Sequence, residues 1–354
     1  MKLYNNICYK EDIMSVTYLD LPWERLRGKE ILITGATGLI GRFLIDVLMQ
    51  LNSERNINLK IYALCRNKIK AQEIFKCYKE SDFIEVIAHD INKPLLLDDT
   101  GKIHFVLHMA SNTHPVDYAI DPIGTITANI IGTNHMLLFA EEHEAERFVF
   151  TSSNEIYGEN RGDVELFKEE YCGYINCNTM RAGYPESKRC GEALCQAYAA
   201  QKKLDIVIPR LTRSYGPTMK PDDSKAISQF IRKGVRGEDI VLKSEGKQYY
   251  SYTYMADAVS GLLTVLLKGE NKEAYNIADQ DSDIKLRELA FYIAERTGTK
   301  VIMDVPDKIE QAGYSKATKA RLDGQKIKEL GWQARYNIRS GLDKTIKILK
   351  EVSG

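Results

Sequence analysis

The chain has 354 residues, with 49 Lys and Arg balanced by 49 Asp and Glu, so its formal net charge is zero. With no basic excess and no acidic tail, nucleic acid is not an expected partner, and no window approaches the apolar length of a membrane span. Seven cysteines, an odd number in a long chain, fit reduced thiols rather than a disulfide framework. Together with an N-terminus that lacks an apolar signal core, they predict a cytoplasmic protein. No cysteine pair has C-x2-C spacing, so no metal site is expected.

Residues 1–28 read as a polar, mixed N-terminal extension anchored by Leu21-Pro22-Trp23. Glu30-Ile31-Leu32-Ile33-Thr34 is a short, β-branched apolar run, the pattern of a buried strand. It runs into Gly35-Ala36-Thr37-Gly38-Leu39-Ile40-Gly41 and then a helical period through Phe43, Leu44, Val47 and Leu48. Strand, glycine turn and helix form the context of a dinucleotide site. Glycines let the backbone approach a diphosphate at a helix N-terminus, where free N–H groups and the dipole favour anions. The second strand, Lys60 to Cys65, ends on Cys65 and Arg66 where an acid often meets the ribose. A guanidinium without a carboxylate there leans toward a 2′-phosphate, hence NADP.

Further strands are expected at 83–88, 104–109 and 147–150, with a helix from about Pro122 to Glu142. The last of these strands delivers Thr151-Ser152-Ser153 at its C-terminal end, where ligands bind in open parallel sheets. The βαβα alternation predicts an α/β fold with a doubly wound parallel sheet. A polar loop (158–180), a helix from Tyr184 to about Gln201 and a strand at 205–209 follow. From Arg213 onward, glycine turns and short elements predict a smaller C-terminal α/β lobe, with helices near 256–268, 284–297 and 323–331.

Tyr184-Pro185-Glu186-Ser187-Lys188 places a phenol and an ammonium four residues apart, on one face of a helix. The ammonium favours the phenolate and lowers the Tyr184 pKa, which makes a proton-transfer group.

With the glycine turn, the strand-end Ser153 and Tyr184/Lys188 in one chain, the sequence resembles the extended short-chain dehydrogenase/reductase family. Within it, the likeness is to nucleotide-sugar epimerases, dehydratases and decarboxylases, most of all the UDP-glucuronate decarboxylase type. The stretches that carry it are ILITGATGLIG (31–41), HMASNTHPVDYAIDPIGTITANIIGT (108–133), TSSNEIYG (151–158), YPESKRCGE (184–192) and SYGPTMKPDDSKAISQFI (214–231). The resemblance implies a Rossmann domain at 29–212 that binds NAD or NADP tightly and recycles it. It also implies a substrate-binding lobe made mainly of 213–354, some of whose segments return to the sheet.

By the same resemblance, Tyr184 takes the proton of a sugar 4-hydroxyl as hydride leaves C4. Lys188 tunes Tyr184 and holds the nicotinamide ribose, and Ser153 aligns the sugar oxygen. Glu155 stands where 4,6-dehydratases and uronate decarboxylases carry Glu near C5, and Asn154 where many dTDP-glucose dehydratases carry Asp. Gly35, Thr37, Gly38, Leu39, Ile40, Gly41 and Arg66 are cofactor contacts. Asp90 and Ile91 flank the adenine, and Ala110 and Ser111 line the diphosphate–ribose path. Thr113 and Tyr118 face the substrate, Lys225 and Gln229 are nucleotide contacts, and Asn129 braces the active-site helix. Two positions depart from the family pattern: Tyr250 replaces a usual Arg, and Arg213 replaces a frequent Asn.

The reading is thus an enzyme that oxidises a nucleotide-diphosphate sugar at C4 and then eliminates at C5/C6 or decarboxylates. The alternative is a C4 epimerase that leaves Glu155 idle. An alternative of another class is a non-catalytic NAD(P)-binding protein, against which the intact Ser153/Tyr184/Lys188 set speaks. The family also implies a homodimer through the helices near 122–142 and 184–201.

Overall fold

The computed structural model describes residues 3–97, 102–113, 120–304 and 318–353. The first half of the chain alternates strand and helix. Its elements are α1 (Ile7–Thr17), β1 (Glu30–Thr34), α2 (Leu39–Arg55), β2 (Lys60–Cys65), α3 (Lys68–Ile74), β3 (Ile84–Ala88) and β4 (Phe105–His108). Then come α4 (Pro122–Glu142), β5 (Arg147–Phe150), the two-residue β6 (Ser152–Ser153), α5 (Gly183–Gln201) and β7 (Ile206–Leu211). The rest of the chain supplies β8 (Arg213–Tyr215), α6 (Ala226–Val235), β9 (Ile240–Leu242), β10 (Tyr249–Tyr254), α7 (Met255–Lys268) and β11 (Ala274–Ile277). It closes with β12 (Asp283–Lys285), α8 (Leu286–Thr297), β13 (Val301–Met303), β14 (Lys319–Ala320), α9 (Gln325–Glu329) and α10 (Ile338–Ser353).

The expected doubly wound sheet is present. Its strands run in the order β11-β7-β5-β4-β1-β2-β3, with β6 beside β7, and all pairs are parallel. The order reverses between β1 and β4, and a ligand crevice forms outside the strand C-termini at such a switch point. Side chains alternate between faces with period two. Ile31, Ile33, Ile61, Phe105 and Leu107 join the core under α1, α2 and α7. Leu32, Tyr62, Leu64, Val106, Phe148 and Phe150 face the opposite core under α4 and α5. The near-continuous apolar runs of the inner strands β1, β2, β4 and β5 follow from burial on both faces.

Beyond β7 the chain builds a smaller mixed sheet, β12-β10-β14 with β8 against β10, and a β13-β9 pair. β11 returns to the large sheet beside β7.

The N-terminal segment is more ordered than its composition suggests. Residues 7–17 form α1, with Tyr9, Ile13 and Val16 buried in the same core as α2. Its inner face also carries Asp12, which the Tyr254 and Tyr336 hydroxyls and Lys344 Nζ satisfy at 2.6, 2.8 and 2.7 Å. Tyr9 Oη donates to Asp46 of α2 at 2.6 Å. A buried face with a carboxylate and a tyrosine in it does not show as an amphipathic stripe. The helices α6 and α10 likewise went unread in the sequence.

Candidate active site

The cleft opens at the switch point and has a cavity volume of about 840 Å³. Its first wall is the turn between β1 and α2. Gly35 has φ +70°, and a Cβ there would lie 2.9 Å from the Met109 carbonyl, so only glycine lets the two strand ends approach this closely. At Gly41 a Cβ would overlap the Gly35 carbonyl oxygen. The tight turn delivers the first N–H groups of α2 to the cleft, because those donors have no partner within the helix. Cys65 and the exposed Arg66 follow from the end of β2, and Asp90 and Ile91 from the end of β3.

The second wall carries the candidate chemistry. Thr151 to Glu155 leave β5 and pass through β6, held by pairing of Ser152 with Arg210 and Ser153 with Leu211 of β7. Helix α5 starts at Gly183, so Tyr184 and Lys188 lie one turn apart on its buried side. Gly191 lets this helix lie against β5, since a Cβ there would overlap the Phe150 ring. Lys188 Nζ donates to the Thr151 carbonyl at 2.9 Å and lies 4.8 Å from the Phe150 ring centre. Burial lowers its pKa to about 8, opposed by Glu192 and Cys195.

Tyr184 departs from the expectation that Lys188 lowers its pKa. Its phenol is held above the ordinary value, first by burial and then by the charge of Glu155. Ser153, Arg181 and Ser111 pull it down, in that order. The dipole of a helix N-terminus is worth only about 0.3–1 kcal/mol at exposed sites; the upward causes prevail here. Glu155 itself is clamped by Arg181, with Nη2 2.7 Å from Oε2 and 2.8 Å from Oε1.

A polar chain behind this wall joins the glycine turn to α5. Thr34 Oγ1 accepts from the Met109 and Ala110 N–H groups at 3.0 Å each, so its own proton points to His108 Nδ1 at 2.9 Å. His108 Nε2–H then donates to Thr133 Oγ1 at 3.1 Å, and Thr133 donates to the Asn129 carbonyl at 2.6 Å. Burial and Lys188 lower the His108 pKa to about 3, which keeps the ring neutral, as this pattern requires. Asn129 accepts from Ser111 at 2.7 Å and donates to Ser187 at 2.9 Å, and Ser187 donates to the Tyr184 carbonyl at 2.9 Å.

The cleft brings together Ser153, Asn154, Glu155, Tyr184, Lys188, the 35–41 turn, Arg66, Asp90, Ile91, Ser111 and Thr113. Arg213, Lys225, Gln229 and Tyr250 approach from the second lobe. Ala110 is the exception: it is half-buried outside the lining, and its N–H is spent on Thr34. Tyr118 lies outside the described residues. Asn154 is buried, Lys225 pairs with Asp223 at 3.1 Å, and Gln229 donates to the Ser224 carbonyl at 2.8 Å.

Sequence reasoning overlooked Arg181. Its spacing three residues before Tyr184, one turn away, was the available signal. Thr151 Oγ1 and Ser152 Oγ, at the strand end marked in the sequence for a ligand, are buried in the cleft wall with no partner among the described residues. Lys220, Lys233 and Lys243 line the outer cleft from loops and helices far apart in sequence, and no local pattern announces them.

Comparison with known proteins is consistent with this geometry. A sequence model of the NAD dependent epimerase/dehydratase family matches residues 31–278. The chain is 32% identical to UDP-glucuronic acid decarboxylase 3 of Arabidopsis thaliana over 317 residues, 88% of this chain and 86% of that protein. It is 28% identical to UDP-glucuronic acid decarboxylase 1 of Xenopus tropicalis, over 91% of this chain and 72% of that one. The fold is shared with dTDP-glucose 4,6-dehydratase from Streptomyces venezuelae with NAD and TYD bound, at TM-score 0.77 and 23% identity, over 91% and 97% of the two chains. It is shared as well with UDP-glucuronic acid 4-epimerase from Bacillus cereus in complex with UDP-glucuronic acid and NAD, at TM-score 0.75 and 20% identity, over 91% and 99%. The chain belongs to the NAD dependent epimerase/dehydratase family.

Proposed function

We propose that this protein oxidises C4 of a nucleotide-diphosphate sugar and then eliminates at C5/C6 or decarboxylates. The observation that carries this reading is the convergence of Ser153, Tyr184, Lys188 and Glu155 on one wall of a cleft whose other wall is a glycine turn. The cleft suits a dinucleotide on its own chemistry. The Gly35 and Gly41 positions leave no room for a Cβ, and Thr151 and Ser152 offer buried hydroxyls with no partner among the described residues. Residues 35–41 would hold the diphosphate, with Arg66, Asp90 and Ile91 at the adenosine end. NAD or NADP, when bound, supplies the carbon that accepts and returns hydride. Arg66 suits a 2′-phosphate, and mass spectrometry of the released ligand decides between the two.

Among the described residues, eight Lys and Arg side chains line the cleft against four carboxylates, in a chain of zero net charge. That local excess suits a diphosphate. Tyr184 holds its proton near neutrality, so it must first give that proton up before the phenolate can take one from the C4 hydroxyl, and forming the phenolate requires positive charge beside it. Lys188, one turn along the helix and still charged at pH 7, is the residue placed to provide it. Ser153 orients the sugar oxygen. Glu155, kept in place by Arg181, acts beside C5, where a neighbouring ketone acidifies the C–H bond.

The rival reading is a C4 epimerase, and the Glu155–Arg181 ion pair favours it by occupying the carboxylate. NMR of the product from a nucleotide-sugar panel separates them: loss of water or of CO2 supports the lyase reading, and simple inversion at C4 rejects it. Tyr184→Phe is expected to abolish turnover by either route.

The protein is further read as a cytoplasmic homodimer. Ile123, Ile126, Ile131 and Leu138 leave the outer face of α4 apolar and exposed, and Ala193 and Ala197 do so beside it on α5. A light-scattering mass of one chain counts against the dimer.

A further inference from the structure

Glu192 and Arg210 form a buried ion pair that takes no part in the steps above. Arg210 Nε and Nη2 donate to the two carboxylate oxygens of Glu192 at 3.0 and 2.7 Å. The arginine and glutamate side chains are only 10% and 13% exposed. Arg210 Nη1 donates to Tyr157 Oη at 2.9 Å and to the Glu169 carbonyl at 2.6 Å, so the fork is held on both edges. A buried ion pair adds little net stability, because apolar residues of similar volume often do as well or better.

The location of the pair gives it another use. Glu192 lies four residues after Lys188 on α5, and Tyr184 four residues before it, so the three share one face of the helix. Arg210 of β7 is in register with Ser152 of β6, the residue after Thr151, whose carbonyl accepts from Lys188. The pair thus adjoins Lys188 from both the helix and the sheet. The other titratable groups around Lys188 are uncharged near neutral pH or matched elsewhere. Burial keeps Cys195 of α5 a thiol, and burial together with Lys188 keeps His108 of β4 neutral. Tyr184 retains its proton, and Glu155 pairs with Arg181. Phe150 and Thr151 offer a ring face and a carbonyl. Among the described residues, the carboxylate that opposes the cost of burying the Lys188 ammonium is therefore Glu192.

We propose that Glu192, fixed by Arg210, is a positioning residue that holds on Lys188 the charge Tyr184 needs in order to give up its proton. This rests on the roles of Tyr184 and Lys188 proposed above and adds the residue that keeps Lys188 charged at neutral pH. Without the carboxylate, burial of the ammonium and the newly unmatched guanidinium of Arg210 both drive Lys188 toward the neutral amine.

The titration of Lys188 itself tests the assignment. In the full chain with lysine labelled with carbon-13 at Cε, the Lys188 resonance is the one that Lys188→Met removes, and its shift with pH follows the ammonium. The wild-type midpoint is expected at about pH 8. In Glu192→Gln it should fall to about pH 7 or below, the effect of losing one nearby opposite charge. Glu192→Asp, which keeps the charge, should stay nearer to wild type. Glu192→Gln/Arg210→Gln removes both charges and leaves no unmatched guanidinium, so its midpoint should lie between wild type and Glu192→Gln. The double variant decides the matter where the single one does not fold. These differences should hold with and without NAD.

With the nucleotide sugar that the panel identifies, the alkaline limb of kcat/KM should move down together with the Lys188 midpoint. In a Lys188→Arg background, Glu192→Gln should leave the limb where it is. An unchanged Lys188 midpoint in the single and double variants overturns the proposal and confines the pair to holding α5 on β7. A lowered midpoint beside an unmoved limb overturns the link to Tyr184. A lowered midpoint in a protein inert toward every nucleotide sugar supports the action of Glu192 on Lys188 and counts against the function proposed above.

Discussion

Lys188 is buried beside the Thr151 carbonyl, and its proton is held only to about pH 8. If that charge is what lets Tyr184 act as a base, kcat/KM should fall on the alkaline side with an apparent pKa near 8. Lys188→Arg, charged far beyond that pH, should move the limb upward even if it lowers the rate. A limb that stays near 8 in the arginine variant removes Lys188 from the assignment. The same shift makes a stability statement. The folded pKa lies below the unfolded value of 10.5, so burying the charged form costs stability below about pH 8, and that cost fades as the pH rises toward 10.5. Lys188→Met should therefore be more stable than wild type at pH 7, by up to roughly 3 kcal/mol, with the gap narrowing at pH 9.5 in urea titrations. A site that works at the expense of stability is the expected pattern.

At the scale of elements, α5 presents Tyr184 and Lys188 to the cleft only because it lies directly on β5. Gly191 makes that contact: an added Cβ would meet the Phe150 ring, the same ring that Lys188 Nζ overlies. Gly191→Ala should cost about 1–3 kcal/mol by overpacking and lower kcat by displacing the helix. Pairing it with Phe150→Leu should restore much of kcat, and a double variant no better than the single one would show that the contact does not set the helix position. The helix itself was legible in the sequence, as were β1 and β5, because buried strands and long helices carry their period locally. Its seating was not, since Gly191 and Phe150 gain meaning only when two elements meet. Arg181 was missed for a similar reason: its partner Glu155 lies twenty-six residues away. The expected drop in the Tyr184 pKa failed because sequence spacing gives neighbours on one helix but neither burial nor the carboxylate arriving from another loop.

Across the whole molecule, the first helix ties distant parts together. Asp12 of α1, fully buried, accepts from the buried Tyr254 at the end of β10 and from the half-buried Tyr336 and Lys344, the latter on α10. The adjacent Tyr9 reaches Asp46 on α2, the helix whose first turn forms the glycine wall of the cleft. Asp12→Ala would take the acceptor from two tyrosine hydroxyls and leave the half-buried Lys344 with Glu11 at 3.5 Å and Tyr336 Oη at 3.1 Å. The cost should therefore reach at most about 3–5 kcal/mol, that of breaking a buried pair from one side. Asp12→Ala/Lys344→Met, which removes both charges, should cost less than the sum of the single changes. The position of α1 against α2 predicts more than a stability effect. With α1 loosened, the Tyr9–Asp46 bond and the seating of α2 weaken, so NAD affinity should drop in Asp12→Ala at temperatures where the fold is still intact. Urea unfolding and NAD titration on the same samples check both parts. An unchanged NAD affinity beside a lowered unfolding midpoint would confine α1 to holding the chain together and deny it any part in shaping the cleft.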